Sequence, residues 1–227
     1  LPQVKKSDTL GSLRRQASTV GDVDISAASD HPQAVIDHFV KYPKKSRVLE
    51  AGGHTASLIL PNDIQVDLMV QPQDSYGSLL QHFTGSKHHN ILLREYALKK
   101  GLSLSEYGIK GLGVSGRDGK LKKFATEESF YKFLGLDWIP PELREGKDEI
   151  KLAQSHDLPK LIELPDIKGD LQIHSSIDVE PSHDLGVSSL AQLATKCREL
   201  DYEYFGVTEH NPAVAGHTRD QIMDLIK

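Results

Sequence analysis

A single cysteine, Cys197, stands among 227 residues. No disulfide can therefore form within the chain and no pair of thiolates can hold zinc; Cys197 reads as a small buried apolar residue. Long hydrophobic runs are missing too: no stretch approaches eighteen apolar residues, and the first thirty lack the apolar centre of a signal peptide. That argues against a membrane span or export and makes the cytoplasm the expected location. Internal repeats and low-complexity tracts are absent. An excess of positive charge is missing as well, because the formal net charge is −5. Residues 1–150 hold 20 Lys and Arg against 19 Asp and Glu, a net of +1, whereas residues 151–227 hold 7 against 13, a net of −6. A near-neutral first part can still turn one basic face to phosphates, while the acidic remainder is a poor binder of a nucleic-acid backbone. The length, with 38% hydrophobic and 26% charged residues, suits one or two ordinary globular domains. The first residue is Leu1 rather than Met, and a helix-like pattern from Asp220 is still running at Lys227, so an internal fragment is expected.

The pattern of residues predicts an α+β chain. Gly11-Ser12 starts a short basic turn of helix over Leu13 to Ala17, and Val20 to Ile25 alternates as a strand. Ala34 to Val40 reads as a helix, with Pro32 in its first turn and Pro43 past its end. Apolar runs over 47–50 and 56–60 flank Gly52-Gly53 as a hairpin. Ile64 to Val70 alternates, with Ile64, Val66, Leu68 and Val70 on one face and Gln65, Asp67 and Met69 on the other. Together these pieces predict a mixed sheet with helices on one side. Ser86 caps a helix from Lys87 to Lys100 whose apolar stripe is Leu92, Leu93, Tyr96 and Ala97, stopped by Gly101. Gly111 to Gly119 reads as a glycine-rich turn, Thr126 to Leu134 as a short helix, and Pro140-Pro141 as the end of the unit. Residues 145–168 look polar and irregular. From Gly169, a strand over Asp170 to His174, a helix over Ser188 to Leu200 and a strand over Tyr204 to Thr208 open a βαβ pattern.

Gly21-Asp22-Val23-Asp24 places two carboxylates at i and i+2 of a strand, so both leave one face while Val23 and Ile25 point to the core. Unpaired carboxylates that close repel unless protons or a cation intervene, and a hard divalent ion such as Mg²⁺ suits oxygen ligands. Asp67 lies on the polar face of a strand whose other face is wholly apolar; if the two strands pair, three carboxylates converge. Such a triad fits two-metal phosphoryl transfer. Upstream, the helix opening at Gly11-Ser12, with the Ser12 hydroxyl and the Arg15 guanidinium, would make a phosphate cradle. Taken alone, a Gly-Asp-x-Asp tetrapeptide more often marks a turn or a strand end. Lys87, Asn90 and Arg94 form one stripe of their helix away from its apolar face; a base pair could dock there, and a solvated helix face is the plainer reading. His54, His88, His89 and His183 read as surface or packing residues.

These motifs carry a resemblance. Gly11-Ser-Leu-Arg-Arg15, Gly21-Asp-Val-Asp24, Val66-Asp67-Leu68, and Phe83-Thr-Gly-Ser86 leading into Asn90 and Arg94, resemble the palm and nucleotide-binding subdomain of the polymerase beta-like, family X DNA polymerases. Leu134-Gly-Leu136 and Ile139-Pro-Pro-Glu-Leu-Arg144 resemble the end of that region in the prokaryotic branch. The resemblance covers about residues 8–150. It implies a nucleotidyltransferase palm over 1–80, incomplete at its N-terminus, and a small helical and β nucleotide-binding subdomain over 81–150. Ser12, Arg15 and Gly21 would belong to the nucleotide site, and Asp22, Asp24 and Asp67 would bind two Mg²⁺ or Mn²⁺ ions. Phe83 and Gly85 would lie beside the sugar, with Lys87, Asn90 and Arg94 along the base pair. His82 stands where tyrosine is common, and Gln65 and Met69 stand where basic residues commonly flank the third aspartate. The helical domain that grips DNA before the palm is not in this sequence.

After a linker at 151–168, Gly169 to Ser176 and Phe205 to Asn211 resemble the first two motifs of the polymerase and histidinol phosphatase domain. The resemblance implies the opening of a (β/α) barrel and a Mn²⁺ or Zn²⁺ phosphoesterase site at His174, Glu209 and His210. Gln172 replaces a histidine of that pattern and Glu209 an aspartate, so a working metal site and a degenerate structural domain both fit these residues. Residues 169–227, 59 in all, are too few to close such a barrel.

The implied function is templated addition of a dNTP to a primer 3′ end in gap-filling DNA repair, with primer-template or gapped duplex as partner, no membrane, and a monomer. A 3′–5′ exonuclease in the second domain would accompany it. Two other readings stand beside this one: a template-independent nucleotidyltransferase, and a catalytically degenerate DNA-binding module.

Overall fold

The computed structural model describes residues 1–112, 119–177, 185–209 and 217–226, in two compact units, Leu1–Leu158 and Pro159–Lys227. Residues 113–118 of the expected glycine-rich turn, together with His183, His210 and Asn211, lie outside the described residues.

The first unit is built on a mixed sheet. Its strands are β1 (Lys6–Thr9), β2 (Val23–Ala28), β3 (Arg47–Ala51), β4 (Thr55–Ile59) and β5 (Gln65–Gln71), in spatial order β1-β2-β5-β4-β3. β2 and β5 run parallel, with Asp24 opposite Asp67, and every other neighbouring pair is antiparallel. The β3–β4 hairpin forms across Gly52-Gly53 as expected, and antiparallel pairing of β4 with β5 returns the chain to lie along β2.

Helices cover both faces of this sheet, where the alternation had suggested one. On one face α2 (Pro32–Phe39) buries Val35 and Ile36 against Ile25, Ala27, Leu68 and Val70. On the other, the single turn α1 (Gly11–Arg14) and α3 (Tyr76–Thr84) pack Leu10, Tyr76 and Leu79 over Ala28 and Met69. The second face of β5 is polar through Gln65 and Asp67, but Met69 and Gln71 farther along it lie under cover, Gln71 being buried. α1 is displaced from the expected Leu13–Ala17 because Gln16 enters the left-handed region at φ 52 and breaks the helix.

α4 (Lys87–Lys99), the hairpin β6 (Leu102–Ser105) and β7 (Gly108–Gly111), α5 (Glu127–Leu134) and α6 (Glu149–Ser155) follow. Leu93 and Ala97 of α4, Phe130 and Leu134 of α5, and Ala153 of α6 share one core. α6 therefore replaces part of the stretch expected to be irregular; it buries only Glu149 and Ala153, too few apolar positions to show a period. An expected division at residue 80 falls within α3. There the Gly77 and Ser78 amides donate to the Phe124 carbonyl at 2.8 and 3.3 Å, and a Cβ on Gly77 would land on the backbone of Thr126, the residue that caps α5.

A buried polar network ties these elements together. Arg144 is fully buried. Its Nη1 donates to Glu127 Oε1 at 2.6 Å, while Nε and Nη2 donate to the Ile139 carbonyl at 2.9 and 2.7 Å. The other Glu127 oxygen accepts from Arg14 at 2.6 Å, and Arg14 also donates to the Thr84 hydroxyl. Burial alone would favour a neutral Glu127; Arg144 and Arg14 reverse that and hold its carboxyl below the usual carboxylate range. Close by, His89 Nδ1 lies 2.8 Å from Glu149 and Nε2 lies 2.9 Å from the Tyr131 hydroxyl. Burial keeps the imidazole neutral. An ionised Glu149 only accepts, so Nδ1 carries the proton and Nε2 accepts from Tyr131. Burial would raise Glu149, but the His89 hydrogen bond and the backbone amides that reach it prevail and bring it down to about 2.

The second unit contains β8 (Gly169–Ile173), α7 (Leu190–Glu199), β9 (Tyr204–Val207) and α8 (Arg219–Ile226). β8 and β9 pair in parallel with α7 between them in sequence, and Ser189 and Gln192 form a reciprocal cap at the start of α7. Among the described residues no helix is long and apolar enough to cross a membrane.

Glu127→Ala leaves the buried Arg144 charge unpaired and should cost about 3–5 kcal/mol in urea unfolding. Adding Arg144→Met should recover part of that loss, since no charge then stays buried. The stability that Glu149 contributes, measured as the difference between the chain and Glu149→Gln, should be complete above about pH 4.5. It should fade as pH falls toward about 2, because the unfolded carboxyl takes up its proton first.

Candidate active site

Parallel pairing of β2 with β5 places Asp24 beside Asp67, and Asp22 precedes β2 by one residue. One oxygen from each of the three carboxylates lies within 4.8 Å of the others. Among the described residues they are the one group of three or more His, Cys, Asp or Glu placed to hold a metal ion. Asp22 is exposed, whereas Asp24 and Asp67 are half-buried. Desolvation, then the charges of Asp22 and Asp67, push the Asp24 carboxyl up to about 6 against the opposing pull of Arg15. The donor set is all oxygen, and repulsion from Asp22 and Asp67 adds to desolvation in raising Asp24. Both properties fit a hard divalent cation.

The turn before the triad is held against it by backbone. The Leu10 amide donates to the Asp24 carbonyl at 2.8 Å, and Leu10 is fully buried. Gly11 then adopts φ +55, and a Cβ there would land on Asp24 Oδ2. Only glycine allows the chain to pass so close to this carboxylate. At Gly21, by contrast, a Cβ would meet nothing within 4 Å, so no close approach requires that glycine.

Ser12 sits half-buried in α1. Arg15, just past α1, turns its guanidinium to the Thr84 carbonyl and lies 3.4 Å from Glu145; a Cβ on Gly85 would come within 3.1 Å of its Nη1. Gly85 has φ +70, and its peptide bond to Ser86 is cis. The cradle residue Arg15 and the Phe83–Ser86 turn, 70 residues apart in sequence, are thus neighbours. Phe83 is half-buried with the His82 ring edge-on at 4.8 Å, and burial lowers the pKa of His82. Of the expected stripe on α4, Lys87 and Arg94 are exposed. Asn90 instead accepts from Gln81 at 2.8 Å and donates to the His82 carbonyl at 2.7 Å, clamping α4 to the end of α3.

Sequence reasoning named Gln65 only as a departure from the basic residues that commonly flank the third aspartate and gave it no contact. Gln65 Nε2 lies 3.0 Å from both carboxylate oxygens of Asp67. The signal was its position two residues before Asp67 on the same face of β5. Arg14 and Glu127, which brace the cradle from behind, were also missed, because a partner 113 residues away leaves no local pattern.

In the second unit the parallel strands bring residues 174 and 209 to adjacent strand ends, where Glu209 Oε1 accepts from the Ser175 amide at 2.7 Å. His174 and Glu209 belong to no three-ligand group among the described residues. His210 lies outside those residues.

Gly11→Ala should cost about 1–2 kcal/mol of stability from the left-handed backbone alone. Because its Cβ would also displace the Asp24 carboxylate, it should weaken Mn²⁺ binding in a titration of the folded variant.

Residues 79–145 match the DNA polymerase beta thumb family. The chain is 36% identical over 208 residues to the DNA polymerase/3′-5′ exonuclease PolX of Bacillus subtilis, an alignment covering 91% of this chain and 34% of PolX. It is 29% identical over 161 residues to DNA polymerase lambda of Rattus norvegicus, covering 60% of this chain and 28% of that protein. Over 99 residues it is 35% identical to the human DNA-directed DNA/RNA polymerase mu, covering 42% of this chain and 19% of that one. The chain thus spans about a third or less of the length of each relative. With a thumb match that takes in the Phe83–Ser86 turn and α4, and a similarity to PolX that runs along nearly all of its residues, the chain is similar to the family X DNA polymerases.

Proposed function

We propose that this chain carries the nucleotidyl-transfer core of a DNA-directed DNA polymerase, which adds a deoxynucleotide to a primer 3′ end in gap-filling repair. The observation that carries this reading is the convergence of Asp22, Asp24 and Asp67 across the β2–β5 pair, with Gly11 of the cradle against Asp24. The triad would hold two divalent cations, Mg²⁺ or Mn²⁺. When bound, such ions lower the pKa of an attacking hydroxyl and stabilise charge on the transferring phosphoryl and its leaving group.

The chain's own residues have the following tasks. Asp22 and Asp24 would hold both ions, and Asp67 would complete the site at the primer end, orienting the 3′ hydroxyl and drawing its proton. Ser12 and Arg15 hold the triphosphate, Gly21 belongs to the nucleotide site, and Phe83 and Gly85 lie beside the sugar. Lys87 and Arg94 face the nascent base pair from the exposed side of α4, with Asn90 holding that helix in place. In domain terms, residues 1–80 serve as palm and 81–150 as nucleotide-binding subdomain. The substrates are a dNTP and a primer-template or gapped duplex, the protein acts as a monomer, and it works in the cytoplasm.

The second unit supports an additional reading. Its parallel β8–α7–β9 pattern is how a polymerase and histidinol phosphatase barrel would begin at 169–227, with His174, Glu209 and His210 toward Mn²⁺ or Zn²⁺. PolX of Bacillus subtilis is named a 3′-5′ exonuclease as well as a polymerase, and the same pairing of activities is proposed here.

Primer extension on a one-nucleotide gap tests the main reading. The protein should insert the templated nucleotide, and Asp67→Ala should lower the rate by about a hundredfold or more. Insertion that ignores the template base would favour a template-independent nucleotidyltransferase. DNA binding without insertion by either protein would favour a degenerate binding module. Degradation of a labelled 3′ end in Mn²⁺, lost in His174→Ala, is the outcome expected of the exonuclease.

A further inference from the structure

Gln65 and Asp67 share one face of β5, and both are half-buried. The backbone of Gln65 is fixed by its pairing with Ile59 on β4. Its side-chain amide then reaches Asp67 with Nε2 at 3.0 Å from Oδ1 and at 3.0 Å from Oδ2. A donor shared between both oxygens sets the rotation of the carboxylate about its own axis. Each carboxylate oxygen has two lone pairs, so the contact leaves one on each for another partner.

The charge around the triad gives this contact a second meaning. Among the described residues no Lys, Arg or His forms an ion pair with Asp22, Asp24 or Asp67; Arg15, the cation that acts on Asp24, pairs with Glu145. Met69, on the far side of Asp67 along the same face, packs into the apolar core with Leu79. Asp67 is therefore held by a neutral dipole on one side and flanked by an apolar side chain on the other. A lysine or arginine at 65 could also fix the carboxylate, but it would neutralise part of the charge that draws in a divalent cation. Groups that orient a metal ligand commonly matter tenfold to a hundredfold for affinity although they never touch the metal.

We propose that Gln65 is a positioning residue for Asp67, a neutral tether that fixes the third carboxylate in its ligating rotation while leaving the full charge of the triad available to divalent cations. This inference rests on the metal-binding reading of the triad given above.

Mn²⁺ titration of the protein, followed by the electron paramagnetic resonance of free Mn²⁺, tests it without any need for turnover. Asp67→Ala serves as the background for ions bound elsewhere. Gln65→Met keeps the length of the side chain and removes the donor; it should bind the Asp67-dependent Mn²⁺ about tenfold more weakly or worse. Gln65→Ala should do the same, so the result does not depend on one variant folding. Gln65→Lys restores a donor but adds a charge, and its weakened binding should deepen as ionic strength falls. In primer extension, Gln65→Met should keep its KM for dNTP when measured at saturating metal, while in a metal titration the Mn²⁺ concentration for half-maximal rate rises. Two results overturn the proposal. If Gln65→Met and Gln65→Ala bind Mn²⁺ as tightly as the original while Asp67→Ala does not, the tether has no role and the triad stands. If Asp67→Ala itself leaves binding unchanged, the triad reading fails and the tether with it.

Discussion

Glu127 holds two guanidiniums at once, one on each carboxylate oxygen, and through Arg14 it braces the turn at Gly11–Arg15. On one side Arg14 belongs to α1, the turn whose Gly11 presses on Asp24. On the other, Arg144 is sunk without solvent exposure into the segment that closes the first unit, gripping the Ile139 carbonyl. Its own carbonyl accepts from the Ser86 amide at 3.0 Å, which anchors the start of α4. A buried ion pair is weak as a source of stability, because desolvation offsets most of the attraction. Its value here is geometric: two guanidiniums, 113 and 17 residues away in sequence, are fixed in direction by one carboxylate.

The triad is organised on the opposite physical basis. Where the network behind the turn pairs each charge with an opposite one, the three aspartates converge with no ion-pair partner among the described residues, and burial, then the charges of Asp22 and Asp67, drives Asp24 up to about 6. The sheet keeps them together despite the repulsion, since parallel pairing of β2 and β5 fixes Asp24 and Asp67 side by side. A perturbed carboxylate held among like charges, relieved only in part by Arg15, is what a site for an external cation requires.

Much of this arrangement was legible in the residues before any coordinates. The alternation over 64–70 put Asp67 on the polar face and so made convergence with Asp22 and Asp24 depend on a single strand pairing, which is the pairing found. The β3–β4 hairpin across Gly52-Gly53 and the Ser86 cap of α4 followed from local turn and capping chemistry, which acts within a few residues. What stayed hidden acts over distance. Arg14 with Glu127, and His89 with Glu149, are separated by 113 and 60 residues, and nothing near them in sequence marks Arg14 as half-buried or His89 as buried. α6 was missed because a carboxylate, Glu149, takes one of its two inward positions. The second helix layer on the sheet was missed because Met69 was grouped with the polar face it follows.

Gly77 carries a further consequence. At that point α3 meets the residue capping α5 with no side chain between them, since a Cβ would occupy the backbone of Thr126, and two α3 amides converge on the Phe124 carbonyl. Ordinary helix contacts run through side chains whose rotamers can yield. A backbone-to-backbone joint has no such slack, so any tilt of α5 is handed on to α3, and from the end of α3 to the Thr84–Ser86 turn beside Arg15. The joint is rigid, so α3, its terminal turn beside Arg15 and α5 are bound to move as one piece.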